Sequence, residues 1–284
     1  MFEHTPEDQY VEVGSIQTRY WTLGDEGPLV LLIHGIGASM ESWAANVGPL
    51  AEAHRVYALD LVGAGYTDKP EAPYSLSYLA QFVADFMETM DLTRASVVGH
   101  SLGGGAALKL ALEHAEKVES LVLVASAGLG REGHIFFKLA SLPLVGELLI
   151  RPTSREGVAQ SLETFYTDPS MVTEERVDLS YDLLSQPGYQ RAYLSMVRSL
   201  ATVFGARKSV IRSIVDHLDE IKAPTLVVWG EEDNILPVKH AHVAAEGIPN
   251  ARLHIFEDCG HMVPEEKPEA FNDLLTAFLN DRPI

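Results

Sequence analysis

Cysteine is nearly absent: Cys259 is the only one among 284 residues. An internal disulfide needs two thiols and a cysteine-built zinc site needs more, so both are excluded. Positive charge is also scarce, with 21 lysines and arginines against 40 acidic residues and a formal net charge of -19. Such a surface repels phosphate backbones and anionic lipid, which argues against nucleic acid and membranes as partners. Neutral or cationic small molecules are the favoured ligands. No apolar run reaches the ~18 residues of a membrane-spanning helix. The opening residues, Met1-Phe-Glu-His-Thr-Pro-Glu-Asp8, lack the basic and apolar regions of a secretory signal, so a cytoplasmic protein is expected. There is no H-E-x-x-H, no H-x-E with C-x-x-C and no P-loop, so neither a metal nor a cofactor is expected.

Apolar residues make up 46% of the chain, enough for a sizeable core. Gln9 to Trp21 reads as a strand pair turning near Gly14. Pro28-Leu-Val-Leu-Leu-Ile33 is wholly apolar, as suits a strand buried on both faces. Strands follow at Arg55 to Asp60, Ala95 to Val98, Val118 to Val124, Thr225 to Trp229 and Ala251 to Phe256. Helices are expected through Leu79 to Met90, over Leu102 to His114 and Val238 to Glu246, and around Phe271 to Phe278. This alternation predicts an α/β fold with a mainly parallel sheet. Residues 1–125 and 217–284 are assigned to that core. Residues 126–216 carry no convincing strand and are read as an inserted helical cap. It includes a capping box at Thr153-Ser-Arg-Glu156 and a helix within Gly188 to Phe204.

Gly99-His100-Ser101-Leu102-Gly103 lies where a strand ends and a helix begins. This is the G-x-S-x-G elbow in the context that gives it meaning, and it nominates Ser101 as a nucleophile. A serine hydroxyl needs a base. Of eleven histidines, His261 stands in Asp258-Cys-Gly-His-Met-Val-Pro264 after the last strand, on the same expected rim as Ser101. His34 and His100 share that rim but sit beside glycine turns and read as framing residues close to substrate. His240 and His242 read as solvated positions on a helix. Asp233, in Trp229-Gly-Glu-Glu-Asp-Asn-Ile-Leu-Pro237, is the placed acid. Glu231 and Glu232 read as solvated, Asp60 as a cap for the turn at Gly63 to Gly65, and Cys259 as a small packed residue. The Leu102 N–H is one expected oxyanion donor. The second is assigned to Ile36 within His34-Gly35-Ile36-Gly37, with Gly35 or Gly37 as alternatives.

These motifs, together with Asp60-Leu-Val-Gly-Ala-Gly-Tyr-Thr-Asp68 and Gly260-His261, resemble the α/β-hydrolase family over roughly residues 9–125 and 217–280. The resemblance implies an eight-stranded sheet with Ser101, Asp233 and His261 on its rim beneath a helical lid. Ser101 departs from the aspartate nucleophile of epoxide hydrolases and haloalkane dehalogenases. Ile36-Gly37 departs from the aromatic-proline pair of cofactor-free haloperoxidases. The C–C hydrolases of ring-cleavage pathways are closer, through Asp68-Lys-Pro70 and Ala251-Arg-Leu-His-Ile-Phe256. They carry asparagine before the serine and tryptophan after the histidine, where this chain has His100 and Met262. The expected activity is therefore cleavage of a small-molecule ester, with C–C hydrolysis as the alternative and a ligand receptor on the same fold as a third possibility. His34, Gly35, His100 and Met262 are the expected substrate contacts. In the cap, Arg151, Arg191 and Arg198 are candidates for a substrate carboxylate. Tyr166, Tyr181, Tyr189 and Tyr193 are candidate hydrogen-bond donors. The apolar stretch from Ile135 to Leu149 either packs inward or lines a pocket. The protein is expected to be a monomer or a homodimer.

Overall fold

Alternation along each apolar strand decides which face of the sheet a side chain covers. The computed structural model describes residues 5–151 and 154–280. Its main sheet comprises β1 (Gln9–Val13), β2 (Ile16–Leu23), β3 (Leu29–Ile33), β4 (Arg55–Leu59), β5 (Ala95–His100), β6 (Val118–Val124), β9 (Thr225–Gly230) and β10 (Ala251–Phe256). A separate two-residue ladder joins β7 (Ala201–Thr202) to β8 (Gly205–Ala206). The main order is β1-β2-β4-β3-β5-β6-β9-β10, and β2 alone runs against the other seven.

Leu31 and Ile33 of β3, Val97 of β5 and Val227 of β9 enter one apolar cluster. That cluster is completed by α2 (Leu76–Thr89), α3 (Leu102–Glu113) and α10 (Lys239–Gly247). Val30, Leu32, Val98 and Val228 enter the other, with α1 (Ala44–Ala51) and α12 (Pro268–Asn280). Both faces are thus covered, which is why these strands carry no polar alternation. Each fully buried aliphatic side chain contributes roughly 1.5–3 kcal/mol, so the core rests on many modest terms.

Parallel pairing aligns the strand ends. Ile33 lies beside Gly99, His100 beside Val124, Val124 beside Val228, and Gly230 beside Phe256. The loops carrying Gly35, Ser101, Asp233 and His261 therefore leave the sheet from one edge. From β3 the chain goes to β4 on one side and later to β5 on the other. Such a reversal opens a crevice above the strand ends.

Between β6 and β9 the chain forms α4 (Ile135–Ala140), α5 (Val145–Leu149), α6 (Arg155–Glu163), α7 (Glu174–Ser185), α8 (Tyr189–Leu200) and α9 (Lys208–Val215). Helices α4, α7 and α8, with Ile150 just after α5, share a cluster of Ala140, Ile150, Leu183, Tyr189, Tyr193, Leu194 and Val197, against which Ile36 of the core packs. Thr153 lies outside the described residues. Helix α6 is capped by Ser154, whose Oγ accepts from Gly157 N–H at 3.0 Å. The Ile135 to Leu149 stretch follows both expectations only in part. Phe136 and Phe137 pack on the cap cluster and Phe136 and Leu149 border the cavity described below, but Ile135, Leu139, Leu144, Leu148 and Leu149 are exposed, Leu144 at 77%.

Candidate active site

Ser101 occupies a backbone conformation that few L-residues adopt, φ 53° and ψ -113°. Such strain costs about 1–3 kcal/mol and persists only where neighbours enforce it. Here Ser101 N–H donates to Val124 O at 2.9 Å, and Ser101 O accepts from Ala127 N–H at 2.9 Å. The flanking glycines are required by space. A Cβ on Gly99 would lie 2.4 Å from Gly103 O, and one on Gly103 would lie 2.4 Å from Ile33 O. The elbow therefore fits between β5 and α3 only with hydrogen at both positions.

Asp233 follows β9 and is buried. Its Oδ1 accepts from the Ile235 and Leu236 N–H groups at 2.8 and 2.9 Å, leaving Oδ2 2.8 Å from His261 Nδ1. With Nδ1–H donating to that carboxylate, Nε2 is the ring atom left to accept a proton. The His261 N–H donates to Phe165 O of the cap at 3.2 Å, and Glu266 Oε1 accepts from the flanking Gly260 and Met262 N–H groups at 3.1 Å each. The Ser101 hydroxyl forms no hydrogen bond with the imidazole here. Such bonds are often long in unliganded sites and tighten with substrate.

Gly35 packs against the elbow, where a Cβ would lie 3.1 Å from Ser101 Cβ. This close approach sets the Ile36 backbone beside the serine. Leu102 opens α3, so its N–H points out of the helix end, where developing negative charge is favoured. Neither the Ile36 nor the Leu102 N–H is hydrogen-bonded among the described residues. A cavity of about 230 Å³ joins Ser101, His261, Gly35, Ile36, His100 and Met262 to the cap. A second cavity of about 90 Å³ also reaches Ser101 and Ile36, and its walls include Phe137, Val197, Leu200 and Ile235. Two mostly apolar spaces thus meet at the serine. Among the described residues, no cluster of three or more His, Cys, Asp or Glu is arranged to hold a metal ion.

A model of the alpha/beta hydrolase fold matches residues 28–268. The chain belongs to the α/β-hydrolase family. It is 31% identical over 265 residues to the 2-hydroxy-6-oxo-6-phenylhexa-2,4-dienoate hydrolase of Comamonas testosteroni, covering 90% of this chain and 89% of that protein. The meta-cleavage product hydrolase of Pseudomonas fluorescens superposes with a TM-score of 0.81 at 29% identity, covering 96% and 97% of the two chains. A putative lipase of Acinetobacter baumannii superposes with a TM-score of 0.83 at 27% identity, covering 96% and 90%.

In this α/β hydrolase, several residues sit differently from what the sequence suggests. His34 is fully buried and outside the cavity wall. Its Nδ1 lies 2.7 Å from Gly35 O, and its Nε2 accepts from Leu61 N–H at 3.0 Å, so both nitrogens are used in holding loops. His240 is buried rather than solvated, packed against Gly130 and 3.3 Å from Glu132 Oε2. Arg191 donates to Lys69 O and Arg198 to Glu147, so neither cap arginine reaches the cavity. Arg151 lines it but is exposed. Tyr181 lies outside the cavity, near Arg155, while Tyr166, Tyr189 and Tyr193 line it. Phe165 and Arg176 are among the lining residues that no sequence motif marks. Phe165 lies with its ring centroid 6.1 Å from that of His261, and Arg176 is buried with Glu265. Burial, then repulsion from His261, pushes His100 down to about 3, so it stays neutral and donates Nε2–H to His261 O at 2.9 Å. Burial pushes the Cys259 thiol up to about 12, which removes it as a nucleophile. Glu231 and Glu232 are exposed, and Asp60 accepts from the Met40 and Tyr66 N–H groups at 2.8 Å each.

Proposed function

We propose that this α/β hydrolase is a serine carboxylesterase acting on small to medium, uncharged, hydrophobic esters. Ser101 Oγ attacks the ester carbonyl carbon while His261 Nε2 takes the hydroxyl proton. Asp233 holds the ring in the required tautomer and stabilises the imidazolium. The Ile36 and Leu102 N–H groups receive the tetrahedral oxyanion. Collapse breaks the ester C–O bond, and His261 returns the proton to the departing alkoxide. Water then repeats the sequence on the acyl-serine, releasing the acid. The two cavities meeting at Ser101 suit a substrate with groups on both sides of the carbonyl, and the cap acts as a lid.

One observation favours an uncharged ester over the dienoate acids named for the ring-cleavage relatives. Arg176, the buried cation of the cavity wall, is already paired with Glu265. A carboxylate brought to that wall would find its counter-charge taken, and an unpaired buried anion is costly. C–C hydrolysis remains the competing reading, supported by the 31% identity to a dienoate hydrolase.

The test compares kcat/KM for p-nitrophenyl esters of short and medium acyl chains with kcat/KM for a vinylogous diketone ring-fission product. Ester turnover in the ordinary range of roughly 1–10³ s⁻¹ is expected, with the diketone far slower. A faster diketone would reverse the assignment. At most one ester cleaved per active site, with a hydrophobic ligand raising Tm, would indicate a receptor.

A further inference from the structure

Arg176 and Glu265 belong to different parts of the molecule. Arg176 stands on α7 of the cap, and Glu265 on α11 (Val263–Glu266), just after His261. Their side chains are 6% and 5% exposed, and the guanidinium donates Nη2–H to Glu265 Oε2. Tyr166 donates its hydroxyl to the same oxygen at 2.8 Å. Arg176 and Tyr166 line the larger cavity, whereas Glu265 stands behind them. Among the described residues, no lysine or arginine other than Arg176 and the exposed Arg151 lines this cavity.

We propose that Glu265 is a specificity-determining residue: by neutralising Arg176 from behind the wall, it makes the cavity select uncharged substrate groups over carboxylate-bearing ones. This rests on the esterase reading for its substrates, but the charge selection is a property of binding. A buried arginine without a partner would capture an anion through a charge-assisted, two-pronged bond. With Glu265 behind it, the wall presents a balanced pair. An incoming carboxylate must either displace Glu265 or be desolvated without a counter-ion, and both are unfavourable.

Two ligands of similar length separate charge from shape: p-nitrophenyl hexanoate and mono-p-nitrophenyl glutarate. Binding of both intact esters is measured by calorimetry in Ser101→Ala protein, where neither is consumed, and turnover is followed in the Ser101 enzyme. The hexanoate should bind more tightly. Adding Glu265→Gln, which still accepts from Tyr166, should shrink the ratio of the two dissociation constants by about tenfold or more as Arg176 becomes available. An unchanged ratio overturns the proposal. The double variant Arg176→Met/Glu265→Leu removes both charges, a replacement buried pairs commonly tolerate. Because the pair is already neutral, the ratio should stay within about threefold of the parent's. A selective loss of glutarate binding there, by about tenfold or more, would show Arg176 already serving as a carboxylate receptor and would also overturn it. Absence of turnover with both esters in the Ser101 enzyme would defeat the esterase reading alone, because the binding ratios report on charge selection without catalysis.

Discussion

Asp233→Asn changes a single atom and tests the logic of the site in detail. The Asp233 Oδ1 atom is fixed by two N–H donors, from Ile235 and Leu236 at 2.8 and 2.9 Å. In the asparagine variant the amide oxygen keeps that place. Turning the amide round would aim its NH₂ at both donors, leaving two buried N–H groups unpaired at about 1–3 kcal/mol each. The NH₂ is therefore directed at His261 Nδ1, which lies 2.8 Å from the carboxylate oxygen it replaces. The ring must then accept at Nδ1 and carry its proton on Nε2, the atom that has to receive the Ser101 proton. By analogy with other triads kcat should fall about 10⁴-fold, equivalent to about 5 kcal/mol of barrier. The assay is stopped-flow hydrolysis of a p-nitrophenyl ester, with Tm measured on the same preparation. Glu232→Gln is the comparison, since Glu232 is exposed and should leave kcat within about twofold. A folded Asp233→Asn protein retaining kcat within about tenfold of the parent would refute the tautomer argument.

Two further outcomes follow from the same geometry. Gly99→Ala should destabilise the protein by about 3 kcal/mol or more in a urea titration, because its Cβ would lie 2.4 Å from Gly103 O and 2.7 Å from Gly104 Cα. A loss below about 1 kcal/mol would mean that the elbow can relax. His100 binds its proton at about 3 when folded, against 6.5 for the ordinary imidazole. The unfolded chain therefore takes up more protons between those values, so stability is complete above pH 6.5 and is lost as pH falls toward 3. His100→Asn removes that contribution, so its denaturation midpoint should fall less steeply than the parent's below pH 6.5, and parallel profiles would contradict this.

The sheet was legible because strands buried on both faces leave an unmistakable trace. Leu29 to Ile33 is apolar throughout and every residue of it is buried. The elbow was legible because a strained serine between strand and helix demands glycine two residues to either side. Asp233 and His261 could be chosen by position, since parallel strands deliver their following loops to one rim. The wall of the cavity was not legible in the same way. Arg176 and Glu265 are 89 residues apart and pair only because α7 of the cap folds down on α11, the short helix that follows His261. Neither local periodicity nor a motif marks them. Of the three cap arginines the sequence offers as candidates, Arg151 reaches the cavity but is exposed, while Arg191 and Arg198 spend their charge on Lys69 O and Glu147. His240 misled for a related reason: a histidine between lysine and alanine on a helix reads as solvated, but the chain near Gly130 folds over it. The outward leucines of α4 and α5 escape prediction because short cap helices have no fixed partner face to impose a period.

Covalent capture of the nucleophile tests the role of Ser101 most directly. The intact protein is treated with a fluorophosphonate, and the adduct is weighed and mapped by peptide mass spectrometry. One equivalent of label is expected on Ser101, with esterase turnover lost in step with labelling, and no label in Ser101→Ala protein. Label on any other residue, or full turnover by protein labelled at Ser101, would contradict that role.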